Sequence, residues 1–407
     1  MIKRLTFKQF LFIFPLLAIL AVFSIFPIAS SFVYTTFNYQ PTNPQYSRLF
    51  LRDSFNSGGF HQDGFFINFF LGDELFVVST DEGAAEIVAI QEYISNFISL
   101  FENEDIRSIS STEAAEVRAF IDELHSRLTA FYAMHRGAEF TREDDVFTLV
   151  ESMRRRFIEP NFVGLANYRN LMQDSRFWSA LRITLVFTGI SVFFELALGM
   201  VLALIMNKAI RGIGAIRTVA LIPWAIPTAV AALMWSYLYD GSSGIVAHIF
   251  SEIGLIESPQ TMLLTAAGAM ASAILADVWK TTPYMALLLL AGLQTIDHGL
   301  YESASIDGSG RVKTFIKITL PLMKSSILVA LLFRMLDAFR VYDLIIVLTG
   351  GGPGGATETL SIMSHHFMFG RFDFGYGSTI VVAMFLCVAA IAFFFVKVLG
   401  AEIFKNE

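Results

Sequence analysis

Cysteine, charge and the residue patterns of covalent chemistry are all scarce in this sequence. Cys387 is the only cysteine in 407 residues, so no intrachain disulfide can form, and its place in an apolar run argues against a redox role. Charged residues make up 16% of the chain against 55% hydrophobic and 14% aromatic, too apolar a balance for a soluble domain. HExxH, a serine nucleophile elbow and paired catalytic carboxylates are missing, and no Walker motif occurs, so the chain is not expected to hydrolyse ATP itself. Gly350, Gly352 and Gly355 fit G-x-G-x-x-G, yet they follow a run long enough to span a membrane, and Ala356 stands where a P-loop needs lysine. These glycines are expected to form a flexible external loop. His365 and His366 are adjacent, so they point in different directions, and further metal ligands are lacking nearby.

The hydrophobic runs that are present predict an all-α polytopic membrane protein. A spanning helix needs about 20 mostly apolar residues, and six windows qualify: 10–35, 181–205, 218–238, 262–290, 325–348 and 378–399. The first follows Lys3, Arg4 and Lys8 but is too long for a signal-peptide core, so an uncleaved helix is expected, bent at Pro15 and Pro27. Basic residues set the orientation. Lys3, Arg4 and Lys8, then Lys208, Arg211 and Arg217, then Arg311, Lys313, Lys317 and Lys324 mark cytoplasmic segments. Residues 241–261 carry no Lys or Arg and 349–377 carry only Arg371, so both termini are expected inside.

Between the first two runs lies a long acidic segment, about 38–177, whose positive charges are all arginine. It is expected to fold outside the membrane as a small α+β domain. Residues 65–78, FFINFFLGDELFVV, suggest two strands around Gly72 and Asp73, and helical patterns follow at 86–101, 112–134 and 143–157. Ser110 with Glu113, and Thr141 with Asp144, suggest capping arrangements for the last two helices. Arg154, Arg155 and Arg156 are expected on a solvated helix face.

The most informative stretch is YESASIDGSGRVKTFIKITLP, residues 301–321, a polar island between two apolar runs. Glu302 and Ala304 precede Gly308, and Ile318, Leu320 and Pro321 follow it, a spacing that predicts helix, turn, helix with Gly308 at the turn. Pro321 suits the first turn of the next helix. The triplet Glu113, Ala114, Ala115 lacks the downstream glycine and Ile-x-Leu-Pro and is set aside. The stretch resembles the EAA loop of bacterial ABC-importer permeases, with Ser303 in place of the middle alanine. Residues from about 161 to 399, including IPWAIP, VWKTTPYMALLLLAGLQ and DAFRVYDLIIVLTGGGPGGATETLS, resemble carbohydrate permeases of the maltose and glycerol-phosphate type.

The resemblance implies the six-helix type I importer fold, divided as follows: 1–37, tail and first helix; 38–160, an inserted external domain that falls outside the resemblance; 161–400, the permease core with its cytoplasmic loop 299–323; and 401–407, a cytoplasmic tail. It implies an inner-membrane location in a bacterial cell, and a partner set of a second homologous permease, two cytosolic ATPase subunits that bind ATP and magnesium, and an external solute-binding protein. No cofactor or metal is expected on this chain. Glu302, Ala304, Gly308, Ile318, Leu320 and Pro321 would then couple to the ATPase, and Tyr284 would be the leading sugar contact. The loop glycines would touch the binding protein.

Ionisable residues inside apolar runs point to the substrate path. Arg334, Asp337, Arg340 and Asp343 alternate in sign every three residues, so each is expected to pair with the next along one helix, and Asp277 with Lys280 makes a similar pair. Such a ladder is either a self-neutralising packing device or a polar wall meeting sugar hydroxyls. Glu195 and Arg182 are expected as interhelical partners or interface anchors. A stand-alone secondary transporter or channel, using the ladder as an ion pathway, is the alternative from a different class.

Overall fold

The computed structural model describes residues 7–78, 80–102, 105–208 and 212–403. Lys3, Arg4, Arg211 and the last tail residues, 404–407, lie outside the described residues. The chain divides into two compact units, Met1–Thr36 with Leu165–Glu407, and Phe37–Gly164.

In the Phe37–Gly164 unit four helices, Ser57–Glu74, Asp81–Ile98, Ser111–Met134 and Glu143–Arg154, enclose a core that includes Phe60, Ile67, Ile94, Leu124, Phe131 and Val150. Three two-residue strands complete it, Ser54–Phe55 pairing antiparallel with both Arg107–Ser108 and Phe157–Ile158. The two strands expected at 65–78 do not form. Phe60, Asp63, Gly64, Ile67, Leu71 and Glu74 are buried at spacings of three and four, the period of a helix rather than of a strand, and Asn56 caps the N-terminus by accepting from Gly59 N–H. The aromatic residues that suggested strands, Phe65 and Phe69, occupy the exposed face of that helix.

The Ser110 and Glu113 capping box is present, with Glu113 N–H donating to Ser110 Oγ and Ser110 N–H to Glu113 Oε2. The Thr141 and Asp144 arrangement is not. Arg142 takes the N-cap position, and the Thr141 and Arg142 N–H groups both donate to Glu74 Oε1, a buried carboxylate that serves the helix N-terminus from another helix. The arginine triplet divides in role. Arg156 makes a bidentate pair with buried Asp63 at 2.6 and 2.7 Å, Arg154 pairs with Asp122 at 2.6 Å, and Arg155 is exposed.

In the other unit, four helices among the described residues are long and apolar enough to cross a membrane: Leu11–Tyr34, Ser175–Met206, Ala266–Leu293 and Phe374–Val398. A fifth arises if Arg311–Leu322 and Lys324–Ala338, bent by 69° to each other, form one span. Two of the six expected runs are therefore not continuous helices. The run at 218–238 is broken into Ile213–Ala220, Ile222–Ala225 and Thr228–Leu238. Proline explains the breaks, since Ile226, held extended at ψ 133° before Pro227, cannot continue the helix. The run at 325–348 leaves the helix after Ala338, turns through residues 339–342 and resumes as Asp343–Leu348. Leu11–Tyr34 stays continuous by adopting a π turn at Ala21–Ile25 just ahead of Pro27, where an α-helical N–H would be missing.

Helix contacts in this unit rely on small residues. A Cβ on Gly199 would lie 2.8 Å from Met285, and one on Gly292 would lie 2.4 Å from Ser326, so these glycines permit the close approach of Ser175–Met206 and Lys324–Ala338 to Ala266–Leu293.

The Gly350 to Gly355 loop is closely tied. Thr349 and Thr357 hydroxyls lie 2.7 Å apart, Thr357 Oγ1 donates to Gly352 O, and Arg176 grips Glu358 bidentately at 2.6 and 2.8 Å. That stitching departs from the flexible loop its glycines suggest.

Candidate functional site

Three helices bring ionisable groups to one place inside the apolar bundle. Ser175–Met206 contributes Glu195, the one carboxylate in that helix; Ala266–Leu293 contributes Asp277, Lys280, Thr281 and Tyr284 at i, i+3, i+4 and i+7; Lys324–Ala338 contributes Arg334 and Asp337. Arg334 is 1% exposed and is the hub. Its Nε and Nη2 donate to the two Glu195 oxygens at 2.5 and 2.6 Å, Nη2 also donates to Asp277 Oδ2 at 3.1 Å, and Nη1 donates to Asp337 Oδ2 at 2.6 Å. Thr281 Oγ1 lies 2.6 Å from Glu195 Oε1 and from the Asp277 carbonyl, closing the network.

Isolated charges so placed would carry a desolvation cost of several kcal/mol each, and a fork-shaped guanidinium shared among carboxylates offsets it. Glu195 is 0% exposed and serves only this network, whereas the Asp337 side chain is 64% exposed. The cluster thus has a sealed back and an open front. A cavity of about 500 Å³ lies before it, with Trp224, Asp277, Lys280, Arg334, Asp337 and Arg340 on its wall.

Arg334 and Asp337 do pair as their spacing suggests, but the four-charge ladder does not extend further. The helix ends at Ala338, so the turn carries Arg340 away, where its Nε donates to the Leu336 carbonyl, and Asp343 starts the next helix. Asp277 likewise pairs with Arg334 and not with Lys280. Lys280, 8% exposed, has as its one hydrogen bond among the described residues a long 3.4 Å contact to the Trp224 carbonyl. Tyr284 does not line the cavity. Its ring stacks on Trp224 at 5.5 Å between centroids, and the indole carries the aromatic surface to the wall.

At the EAA-like stretch, His298–Ile306 is capped by Asp297, which accepts from Gly299 N–H. Gly308 follows at φ +73°, with Ser309 N–H donating back to the Ala304 carbonyl, a Schellman ending that needs a left-handed residue at that position. Ala304 is buried, while the Glu302 side chain is 74% exposed. The second helix, Arg311–Leu322, passes through a π turn at Phe315–Thr319, so Pro321 ends this helix instead of opening the next, and Ile318 is half-buried with Leu320 and Pro321 exposed. Ile306, Val312 and Ile316 stand exposed around the turn. Among the described residues no group of three or more His, Cys, Asp or Glu could hold a metal ion; His365 instead packs against Tyr342 and Phe369.

The sequence pointed to Arg334, Asp337, Asp277 and Lys280, but not to Thr281 or Trp224, nor to Glu195 as the partner of Arg334. The available signal was a lone acid in a long apolar helix.

Residues 195–405 match the family described as binding-protein-dependent transport system inner membrane component. The chain is 44% identical over 240 residues to the trehalose/maltose transport system permease protein MalF of Thermococcus litoralis, which covers 59% of this chain and 80% of that protein. It is 42% identical over 251 residues to the trehalose transport system permease protein SugA of Mycobacterium tuberculosis, covering 61% and 79%. In fold it is similar to a chain of a bacterial ABC transporter involved in the import of the acidic polysaccharide alginate, at a TM-score of 0.53 and 23% identity over 59% of this chain and 84% of that one. A charged cluster enclosed in apolar helices, a glycine-hinged polar loop and these matches agree: the chain belongs to the family of inner-membrane permease components of binding-protein-dependent transport systems.

Proposed function

We propose that this chain forms half of the passage through which an ATP-driven importer moves a carbohydrate, delivered by an external solute-binding protein. A second homologous permease completes the passage, and two cytosolic ATPase subunits, which bind ATP and magnesium, supply the energy. The observation that carries this is the cavity of about 500 Å³ whose wall combines an indole face with fixed hydrogen-bonding charges. A sugar offers the complement, an apolar ring face edged by hydroxyls. The names of the relatives, trehalose and maltose permeases, support a sugar as the cargo.

In this proposal the segmented runs at 213–238 and 324–348 also cross the membrane, giving six crossings with both termini inside and residues 38–160 outside. The His298–Ile306 and Arg311–Leu322 helices sit in a groove of one ATPase. Glu302 makes an ionic contact there, Gly308 sets the angle between the two helices, and Ala304, Ile318, Leu320 and Pro321 hold the shape. The exposed Ile306, Val312 and Ile316 fit such a contact, since water alone gives no reason to leave them uncovered. ATP-driven closure of the ATPase pair then moves this element and switches access from one side to the other.

The test is to extract the tagged chain gently from its native membrane, identify what remains bound, and reconstitute the complex in vesicles. An ATPase and a second permease in the eluate, with sugar uptake that needs ATP, is the expected result. The chain alone, moving solute without ATP, overturns the proposal.

A further inference from the structure

Away from the charged cluster, we infer that a second cavity, beside the element proposed to dock on the ATPase, binds an anionic phosphate group; only its placement on the cytosolic side rests on the proposed function. The cavity has a volume of about 560 Å³. Lys208, just past the end of Ser175–Met206, lies on its wall with Ser305 of the His298–Ile306 helix, and with Ser309 and Arg311 from the turn and the helix that follows. No Asp or Glu lies on that wall among the described residues. Glu302, close in sequence, is off the wall, its carboxylate 3.7 Å from His298. Among the described residues Lys208 and Arg311 make no ion pair and no side-chain hydrogen bond, unlike Arg334, whose donors are used on three carboxylates.

Two cations with all their donors unused and no carboxylate to answer them call for an anion. The hydroxyls on the wall point the same way. Ser309 accepts from Thr314 at 3.2 Å and so keeps its own proton to donate, and Ser305 makes no side-chain hydrogen bond among the described residues. An ammonium, a guanidinium fork and two hydroxyl donors suit the several oxygens of a phosphate. The rest of the wall includes Leu204, Val312 and Phe315, apolar surface that a bare ion in water would not need but that the glycerol and first methylenes of a phospholipid would cover. Lys208 stands two residues past the last residue of a helix long and apolar enough to span the membrane, at the depth where lipid phosphates are concentrated. A phosphate held between Lys208 and Arg311 would tie the end of Ser175–Met206 to the docking element. The tie would steady that joint without touching the cargo.

The test is amide hydrogen exchange over residues 298–322 of the assembled complex in nanodiscs of phosphatidylcholine alone, of phosphatidylcholine with phosphatidylglycerol, and of phosphatidylcholine with added inorganic phosphate. With the probe at ~10 times its Kd, amides that exchange by opening of this element should slow about 10-fold. Lys208→Gln with Arg311→Gln should lose most of that slowing. Lys313→Gln with Lys317→Gln, which removes equal charge nearby but off the wall, should keep it. All four side chains are exposed, so the substitutions spare the core, and retention of the ATPase by each variant checks its folding. Slowing by phosphatidylglycerol alone assigns the site to a lipid headgroup, and equal slowing by inorganic phosphate assigns it to soluble phosphate esters. No slowing by either probe, or slowing that both double variants lose alike, overturns the inference and leaves the ATPase contact standing. A preparation that retains no ATPase instead removes the docking proposal, while the exchange result still decides whether phosphate binds.

Discussion

Replacing Arg334 with methionine removes the cation that three helices share. Glu195 at 0% and Asp277 at 7% exposure would remain side by side without a partner, and Asp337 would lose its 2.6 Å anchor. Breaking a buried ion pair by deleting one member costs about 3 to 5 kcal/mol, and two stranded carboxylates put this case at the upper end. For a cooperatively melting domain of a few hundred residues that corresponds to a fall of roughly 6 to 20 °C in melting temperature. The assay is thermal melting of the detergent-solubilised complex followed by size-exclusion chromatography. Substituting both Glu195→Leu and Arg334→Met should recover part of the loss, since the sealed carboxylate goes with its cation, but not all of it, because Asp277 stays uncompensated. Arg334→Met melting within about 2 °C of the unmodified complex would refute the reasoning. If that variant were stable yet failed to transport, Arg334 would be a substrate ligand and not a positioning residue.

Other substitutions test separate parts. Gly308→Val places a β-branched residue at φ +73°, a strain of about 1 to 2 kcal/mol that disrupts the Schellman turn. ATPase activity should lose its stimulation by sugar while membrane insertion persists, and Gly308→Asn should be milder. Thr281→Val removes the hydroxyl 2.6 Å from Glu195 Oε1 and should lower stability by about 1 to 3 kcal/mol, read by the same melting assay. In the Phe37–Gly164 unit, Ser110→Ala should speed hydrogen exchange at the first-turn amides of Ser111–Met134 by about five-fold. The Ser110 backbone N–H and hydroxyl hold the Glu113 carboxyl below its usual range. Its stabilising effect should therefore be complete above the unfolded carboxylate value of about 4.3 and fade as pH falls through the lower folded value. Protection of those amides that did not weaken in acid would count against the capping box.

What was legible in the sequence was what depends on neighbours a few residues apart. Gly308 could be placed at a turn because a helix ending of this kind needs a left-handed residue, and the Ser110 box because its two members lie three apart. Arg334 with Asp337 is the same kind of signal. The partner that decides the meaning of Arg334, however, lies 139 residues away, and no local spacing reveals it. The charge ladder misled for a related reason. Spacing every three residues implies stacking only while the helix lasts, and it ends at Ala338, before Arg340. At 65–78 aromatic composition outweighed the pattern of burial. Phenylalanines fit a pleated surface well, but Ile67, Leu71 and Glu74 keep helical register because they pack on other helices of the unit.

The position of the cluster also bears on how motion at the cytosolic element would reach the cargo. Lys324–Ala338 begins directly after the docking-like Arg311–Leu322 helix, at 69° to it. Arg334 lies about ten residues further on, a rise of ~15 Å along a rigid helix. Near the start of that helix Ser326 meets Gly292 with no room for a Cβ, and near its end Arg334 holds Glu195 and Asp277. The helix is thus fastened at both ends to Ala266–Leu293, and by Glu195 to Ser175–Met206, so these three should move as one body. Trp224 belongs to a different wall, the proline-broken stretch at 213–238, whose missing backbone hydrogen bonds leave it easier to displace. A push on the cytosolic element would then shift Lys280 and Asp337 together, and Trp224 on the segmented wall, whose indole stacks on Tyr284 and whose carbonyl holds the long Lys280 contact, would have to slide on those two contacts. Changing the distance between those two walls, without breaking either, is what alternating exposure of a bound sugar requires.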